Sequence, residues 1–170
     1  HQALLDDLGR RKAELSSAAE IRTVRSDATK AVVSLSVAHR DDPLEVQIWL
    51  PRRRRDDELW LVMMPGLGGN PEHFQWLAGW LADAGWPVAL LEHPGSDAAA
   101  VQALLDGLTP FDGSQALKQR LADLEAVLTA QHNQRLPVPG HDVVLVGHSL
   151  GALTALLAAG AVPDAGTDRR

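Results

Sequence analysis

Along most of this chain the apolar positions switch between a period of two and a helical period, and each switch marks a new element. Ala31 to Ala38 alternates, with Val33, Leu35 and Val37 on one face. Leu44 to Leu50 alternates too, with Leu44, Val46, Ile48 and Leu50 opposite Glu45 and Gln47. The segment between them, His39-Arg40-Asp41-Asp42-Pro43, is turn chemistry, so the two runs predict an antiparallel hairpin. Leu59 to Met64 and Pro87 to Leu91 are short unbroken apolar runs, typical of strands buried on both faces, and Val143 to Val146 is another. Helical spacing covers His73 to Ala84, which Gly85 ends, then Ala98 to Leu105, Gln115 to Ala130 and Ala152 to Ala159. In Gln115 to Ala130 the stripe is Leu117, Leu121, Leu124 and Leu128. Leu4 to Ile21 also has helical spacing, with Leu4, Leu5, Leu8 and Leu15 together.

The order is a hairpin followed by strands alternating with helices. That order predicts an α/β architecture: a mostly parallel sheet wrapped by helices, with an N-terminal antiparallel hairpin and with ligands at the carboxyl ends of the strands. Residues 1–30 read as a helical or linker segment and residues 31–170 as part of one domain. A chain of 170 residues, 45% of them hydrophobic, is long and apolar enough to bury a core and too apolar to be disordered.

Composition narrows the chemistry. The absence of cysteine excludes disulfides, thiolate catalysis and Cys-ligated zinc. A net charge of −6 gives no footprint for nucleic acid. The basic run Arg52 to Arg55 is answered at once by Asp56, Asp57 and Glu58, which reads as a solvated turn. No apolar stretch approaches the roughly 18 residues that span a bilayer. The chain opens on His1 and not on Met, so the native N-terminus is expected to have been removed or to lie upstream, with any targeting segment. The compartment therefore stays open, leaning to the cytoplasm, and the oligomeric state is not legible.

The chemistry centres on Gly147-His148-Ser149-Leu150-Gly151. An apolar strand leads into it and a small-residue helix leads out. That context turns a bare G-x-S-x-G match into a nucleophile elbow, a tight turn that lifts a serine Oγ clear of the sheet. Side chains in place of Gly147 and Gly151 would clash there. A serine hydroxyl needs a histidine base held by a carboxylate, and two N–H donors aimed at the developing oxyanion. The first donor in such a fold is the N–H of the residue after the nucleophile, here Leu150; the second comes from the loop after the third strand. That loop is Pro65-Gly66-Leu67-Gly68-Gly69-Asn70, whose glycines Gly66 and Gly68 let its backbone approach a substrate, and Leu67 is the expected donor. A phosphate-holding role for the loop fits less well: it lacks the G-K-[ST] ending of a P-loop and the third glycine of a dinucleotide fingerprint, although Glu92 would mimic a ribose-binding acid. His148, next to the nucleophile, is expected to position rather than to act as base. His93, after a strand at the active-site edge, is a candidate pocket residue, set against a loop histidine bonded to local backbone. Asp97, Asp112 and Asp142 read as caps or turn residues, and no spacing suits a metal.

Taken together these residues resemble an α/β-hydrolase, and more narrowly the dienelactone hydrolase or platelet-activating-factor-acetylhydrolase-like group found in cyanobacteria. The likeness is carried by Pro65-Gly66-Leu67-Gly68-Gly69 with His73-Phe74 and Leu77-Ala78. It continues through Leu90-Leu91-Glu92-His93-Pro94-Gly95-Ser96 and through Gly147 to Ala155. It covers Val32 to Gly160 and departs at Pro65-Gly66, where many relatives have His-Gly. The resemblance implies ester hydrolysis of a small acyl substrate by Ser149, without cofactor or metal, with an Asp and a His from the C-terminal part. The order Ser, acid, His puts both after Ser149. Only Asp164 and Asp168 lie there, too close to the elbow helix, and no histidine follows. The expectation is therefore a domain cut after the elbow helix, with the triad acid and histidine downstream of Arg170, an open apolar edge along Val143 to Val146, and little or no activity in these residues alone. The alternative is a non-catalytic module of the same fold that binds a small apolar ligand or a protein partner.

Overall fold

A computed structural model describes residues 26–108 and 110–161; the helical stretch expected over Leu4 to Ile21 lies outside them. The hairpin forms in the register that the alternation demands. Strands β1 (Thr29–Leu35) and β2 (Leu44–Leu50) pair antiparallel with Val33 opposite Val46 and Leu35 opposite Leu44. Leu44, Val46 and Ile48 are fully buried while Glu45 faces solvent. Val37 packs against the core beyond the end of β1.

Three further strands follow: β3 (Leu59–Met64), β4 (Val88–Leu91) and β5 (Asp142–Gly147). They join the hairpin in one five-stranded mixed sheet of order β1-β2-β4-β3-β5. Strands β4, β3 and β5 run parallel, and β2 lies antiparallel to β4. The unbroken apolar runs of β3 and β4 are buried on both faces, as a central position requires. Strand β5 is as apolar but pairs on one side only among the described residues, leaving Val143 and Val144 about 40% exposed.

Three of the helical segments begin where a short polar side chain catches free amides. The helix expected from His73 is split: a 3₁₀ turn, Pro71–Phe74, precedes α1 (Gln75–Asp83), because Pro71 occupies the first position and the Asn70 side chain accepts from the His73 N–H. Asp97 caps α2 (Ala98–Leu105) by accepting from Ala100 N–H at 2.8 Å. Asp112 caps α3 (Gly113–His132) by accepting from Ser114 and Gln115 N–H. Asp142, also read as a cap or turn residue, instead opens β5. The last helix is α4 (Leu150–Ala158). The Arg52 to Arg55 run is a solvated turn as expected, with Arg54 paired to Glu58 and Arg55 to Asp57. No helix among the described residues is long and apolar enough to cross a membrane.

The sheet divides the core in two. On one face Val62, Met64, Ala89 and Leu91 meet Leu124, Val127 and Ala130 of α3. On the other, Leu61, Met63, Val88 and Leu90 meet Ala78 of α1. Helix α3 is turned from its expected stripe: Leu117, Leu121 and Leu128 are half-buried, and the buried face is Ala116, Arg120, Asp123, Leu124, Val127 and Ala130. Two charged side chains thus sit at core positions, and both bear on the site. Because Leu124 is central to the α3–sheet contact, Leu124→Ala is expected to lower unfolding free energy by about 2–5 kcal/mol in urea titrations followed by circular dichroism.

Candidate active site

The site is built at the carboxyl end of β5, where the chain reverses into α4. Ser149 takes up the reversal at φ +52° and ψ −119°, a conformation that L-residues rarely adopt, that costs about 1–3 kcal/mol and that persists only where the surroundings enforce it. The enforcement is visible. His148 N–H donates to the Met64 carbonyl at 3.2 Å, Gly151 N–H to the His148 carbonyl at 2.8 Å, and Leu153 N–H to the Ser149 carbonyl at 3.1 Å. A Cβ on Gly147 would run into the Gly151 backbone, and one on Gly151 into the Met64 carbonyl. The elbow therefore closes only with glycine at both places. Ser149 is left exposed at its apex.

The loop after β3 lies directly against this turn. A Cβ on Gly66 would stand 2.9 Å from Ser149 Cβ, so the Gly66 backbone and the serine share one surface. Gly68, at φ +71°, donates its N–H to the Ser96 carbonyl at 2.9 Å, and Gly69 donates to the Gly66 carbonyl at 3.1 Å. With those amides used internally, the loop is poorly made to cradle a phosphate. The Leu67 N–H is not taken up by any acceptor among the described residues. Leu150, as the first residue of α4, has no intrahelical acceptor either. Neither amide is therefore taken up by the protein backbone among the described residues.

The histidines go elsewhere. The His148 ring packs near Phe74, with centroids 6.0 Å apart, at a small apolar recess of about 140 Å³ bounded also by Met63, Leu77 and Val146. It makes no hydrogen bond to Ser149 among the described residues. His93 is 2% exposed, and its ring bonds not to local backbone but across to α3, where Nδ1 donates to Asp123 Oδ2 at 2.8 Å. Its Nε2 is buried without a partner among the described residues.

Asp123 is the centre of a buried network that sequence reasoning missed. Arg40 donates to it through Nε at 2.6 Å and Nη2 at 2.7 Å, and His39 through Nε2 at 2.7 Å. Arg40 Nη1 also donates to the Pro94 carbonyl at 2.9 Å. The network pins the hairpin connection and the loop after β4 to α3. Burial pushes the Asp123 pKa upward, but the hydrogen bonds from His93, Arg40 and His39 outweigh it and hold the pKa at about 2. Arg120, one turn earlier on α3, donates to Thr154 Oγ1, Ser96 Oγ and the Pro65 carbonyl. The available signal was a charge at each of two positions in the 116, 120, 123, 127, 130 series, which has helical spacing and is otherwise apolar. Among the described residues no cluster of His, Asp and Glu is arranged to hold a metal.

No protein-family model and no curated protein sequence matches the chain. Solved structures do. A ferulic acid esterase from Streptomyces cinnamoneus superposes with a TM-score of 0.58 at 19% identity, over 80% of this chain and 56% of its own. A dienelactone hydrolase from Anabaena variabilis superposes at 0.54 and 20% identity, over 78% of this chain and 57% of its own. An α/β hydrolase from Novosphingobium aromaticivorans gives 0.50 at 25% identity, over 81% of this chain and 41% of its own. The chain therefore has the α/β-hydrolase fold, of the kind seen in dienelactone hydrolases and esterases. It spans just over half the length of the first two structures it matches.

The buried network gives the fold a pH dependence of definite sign. Burial, aided by the Arg120 and Arg40 charges, holds the His93 pKa below 6.5 against the pull of Asp123. Below pH 6.5 the unfolded chain thus binds more protons than the folded one, and stability falls as pH falls. A second loss follows between the ordinary Asp value of 3.8 and about 2, where Asp123 is ionised only in the folded state. Thermal unfolding followed between pH 7.5 and 5 should show a midpoint that declines on acidification, and a shallower decline in His93→Gln.

Proposed function

We propose that this chain carries the nucleophile and the oxyanion site of a serine-dependent hydrolase of carboxylic esters or closely related acyl bonds. The observation that carries the reading is Ser149 held at φ +52° on a glycine-bounded turn, exposed, with the Gly66 backbone packed against it. In this reaction Ser149 Oγ attacks the acyl carbonyl carbon and its proton passes to a histidine base. The carbonyl oxygen becomes an oxyanion held by the N–H groups of Leu67 and Leu150. Collapse of the tetrahedral intermediate expels the alcohol, protonated by the same histidine, and leaves an acyl-serine. Water then releases the acid and regenerates Ser149. The substrate is a small acyl compound, and no cofactor or metal takes part.

The base and its carboxylate lie, in this reading, in a C-terminal part of a longer protein. His148 faces Phe74 and His93 is occupied by Asp123, so neither serves Ser149. The known activities of the matched structures, ferulic acid esterase and dienelactone hydrolase, are consistent with an acyl substrate but do not choose one.

The test is the intact mass of the gene product, purified from its source, before and after a fluorophosphonate. A single adduct on Ser149 that disappears in Ser149→Ala, with p-nitrophenyl ester turnover reduced by about 1,000-fold or more in that variant, is the expected result. Absence of both the adduct and any Ser149-dependent turnover overturns the proposal and leaves the non-catalytic binding module.

A further inference from the structure

Both halves of the oxyanion site trace back to one buried side chain. Arg120 lies in α3 at 1% exposure, and its three hydrogen-bond acceptors are all neutral. Its Nε donates to Thr154 Oγ1 at 3.1 Å, its Nη1 to Ser96 Oγ at 2.8 Å, and its Nη2 to the Pro65 carbonyl. Each acceptor leads on to the site. The Thr154 hydroxyl donates to the Leu150 carbonyl at 2.8 Å. The Ser96 carbonyl accepts from Gly68 N–H at 2.9 Å. Pro65 begins the loop that carries Leu67. Leu67 thus hangs between two fixed points, Pro65 held directly and Gly68 held through Ser96, while Leu150 is held through Thr154.

A guanidinium in such a place is expensive. Burying it against neutral acceptors disfavours its charge, and an apolar side chain of similar volume would serve stability as well or better. Burial draws its pKa down to about 10, partly offset by the Asp123 charge, so it stays charged at neutral pH. What arginine alone supplies is a rigid fork that satisfies three acceptors on three different segments at once. Oxyanion stabilisation needs such rigidity, because a misplacement of about 1 Å can cost roughly 100-fold in rate.

We propose that Arg120 is the positioning residue of this active site, fixing the Leu67 and Leu150 N–H groups relative to each other through Pro65, Ser96 and Thr154. The inference rests on the ester-hydrolase reading above.

The experiment uses the full-length gene product and p-nitrophenyl acetate, with kcat and KM measured separately for the wild type, Ser149→Ala, Arg120→Gln, Arg120→Lys, Arg120→Ala and Thr154→Val. Arg120→Gln is expected to lower kcat by roughly 100-fold with KM changed less than about threefold, the pattern of a contact felt mainly in the transition state. Arg120→Lys keeps the charge without the fork and is expected to recover only a minor part of the loss. In Arg120→Ala, guanidinium chloride at a non-denaturing concentration restores part of kcat, which a role confined to folding would not allow. If Arg120→Gln does not accumulate as folded protein, Thr154→Val decides the matter: it unhooks only the elbow side and is expected to lower kcat by about tenfold. Folded Arg120→Gln or Thr154→Val enzyme with wild-type kcat, changed only in melting temperature, overturns the inference and leaves the hydrolase reading intact. A wild type without Ser149-dependent turnover overturns the hydrolase reading itself, and this inference with it.

Discussion

The contact between the end of β3 and the first turn of α4 is the constraint from which the rest of this structure follows. The Met64 and Pro65 carbonyls lie so close to Gly151 that a Cβ there would overlap the first and come within 2.7 Å of the second. That closeness forces the chain between β5 and α4 to reverse in the fewest possible residues. The reversal puts Ser149 at positive φ, and the same proximity brings the loop after β3 under the serine. Glycine at 66, 147 and 151 answers one packing distance in three places. The strain at Ser149 persists because the neighbouring backbone bonds leave it no alternative.

Around this apolar and tightly packed centre the protein has buried an unusual amount of charge. Asp123 and Arg120 lie one turn apart on α3 but do different work. Asp123 collects donors from the hairpin connection and the loop after β4, and its carboxylate is saturated by His93, Arg40 and His39. Arg120 distributes donors to neutral acceptors around the oxyanion loop and the elbow helix. Buried groups so connected gain little net stability over apolar replacements, but they fix geometry, since every departure leaves a charge unpaired in a low dielectric. Helix α3 is therefore the frame on which three loops at the carboxyl end of the sheet are registered. A ligand site in this class of fold is expected at that end.

The class of fold was legible because its signals are local. The hairpin register follows from alternation in Val33, Leu35, Leu44, Val46 and Ile48, since a slip of one residue would turn every buried side chain to solvent. The strands at Leu59 and Val88, the capping by Asp97 and Asp112, and the elbow at Ser149 all follow from side chains within a few residues of the feature they produce. The rotation of α3 was not legible in the same way. Leu117, Leu121, Leu124 and Leu128 form the stronger apolar stripe, yet the core side is centred on Arg120, Asp123 and Val127. Leu124 belongs to both faces and Leu128 still packs against the core, but the positions buried beside them are a satisfied arginine and aspartate that hydropathy ranks below leucine.

By itself, then, the sequence determined the succession of strands and helices, the glycine-bounded turn at Ser149 and the loop of residues 65–70, because sterics and periodicity act over short stretches of chain. Only the tertiary structure decided that β3 lies between β4 and β5, and that Gly66 meets Ser149. It also decided that His93 turns to Asp123 and that Arg120 joins Pro65, Ser96 and Thr154. Those partners lie 24 to 55 residues from Arg120, and what selects them is the demand of a buried charge for acceptors wherever the folded chain brings them within reach.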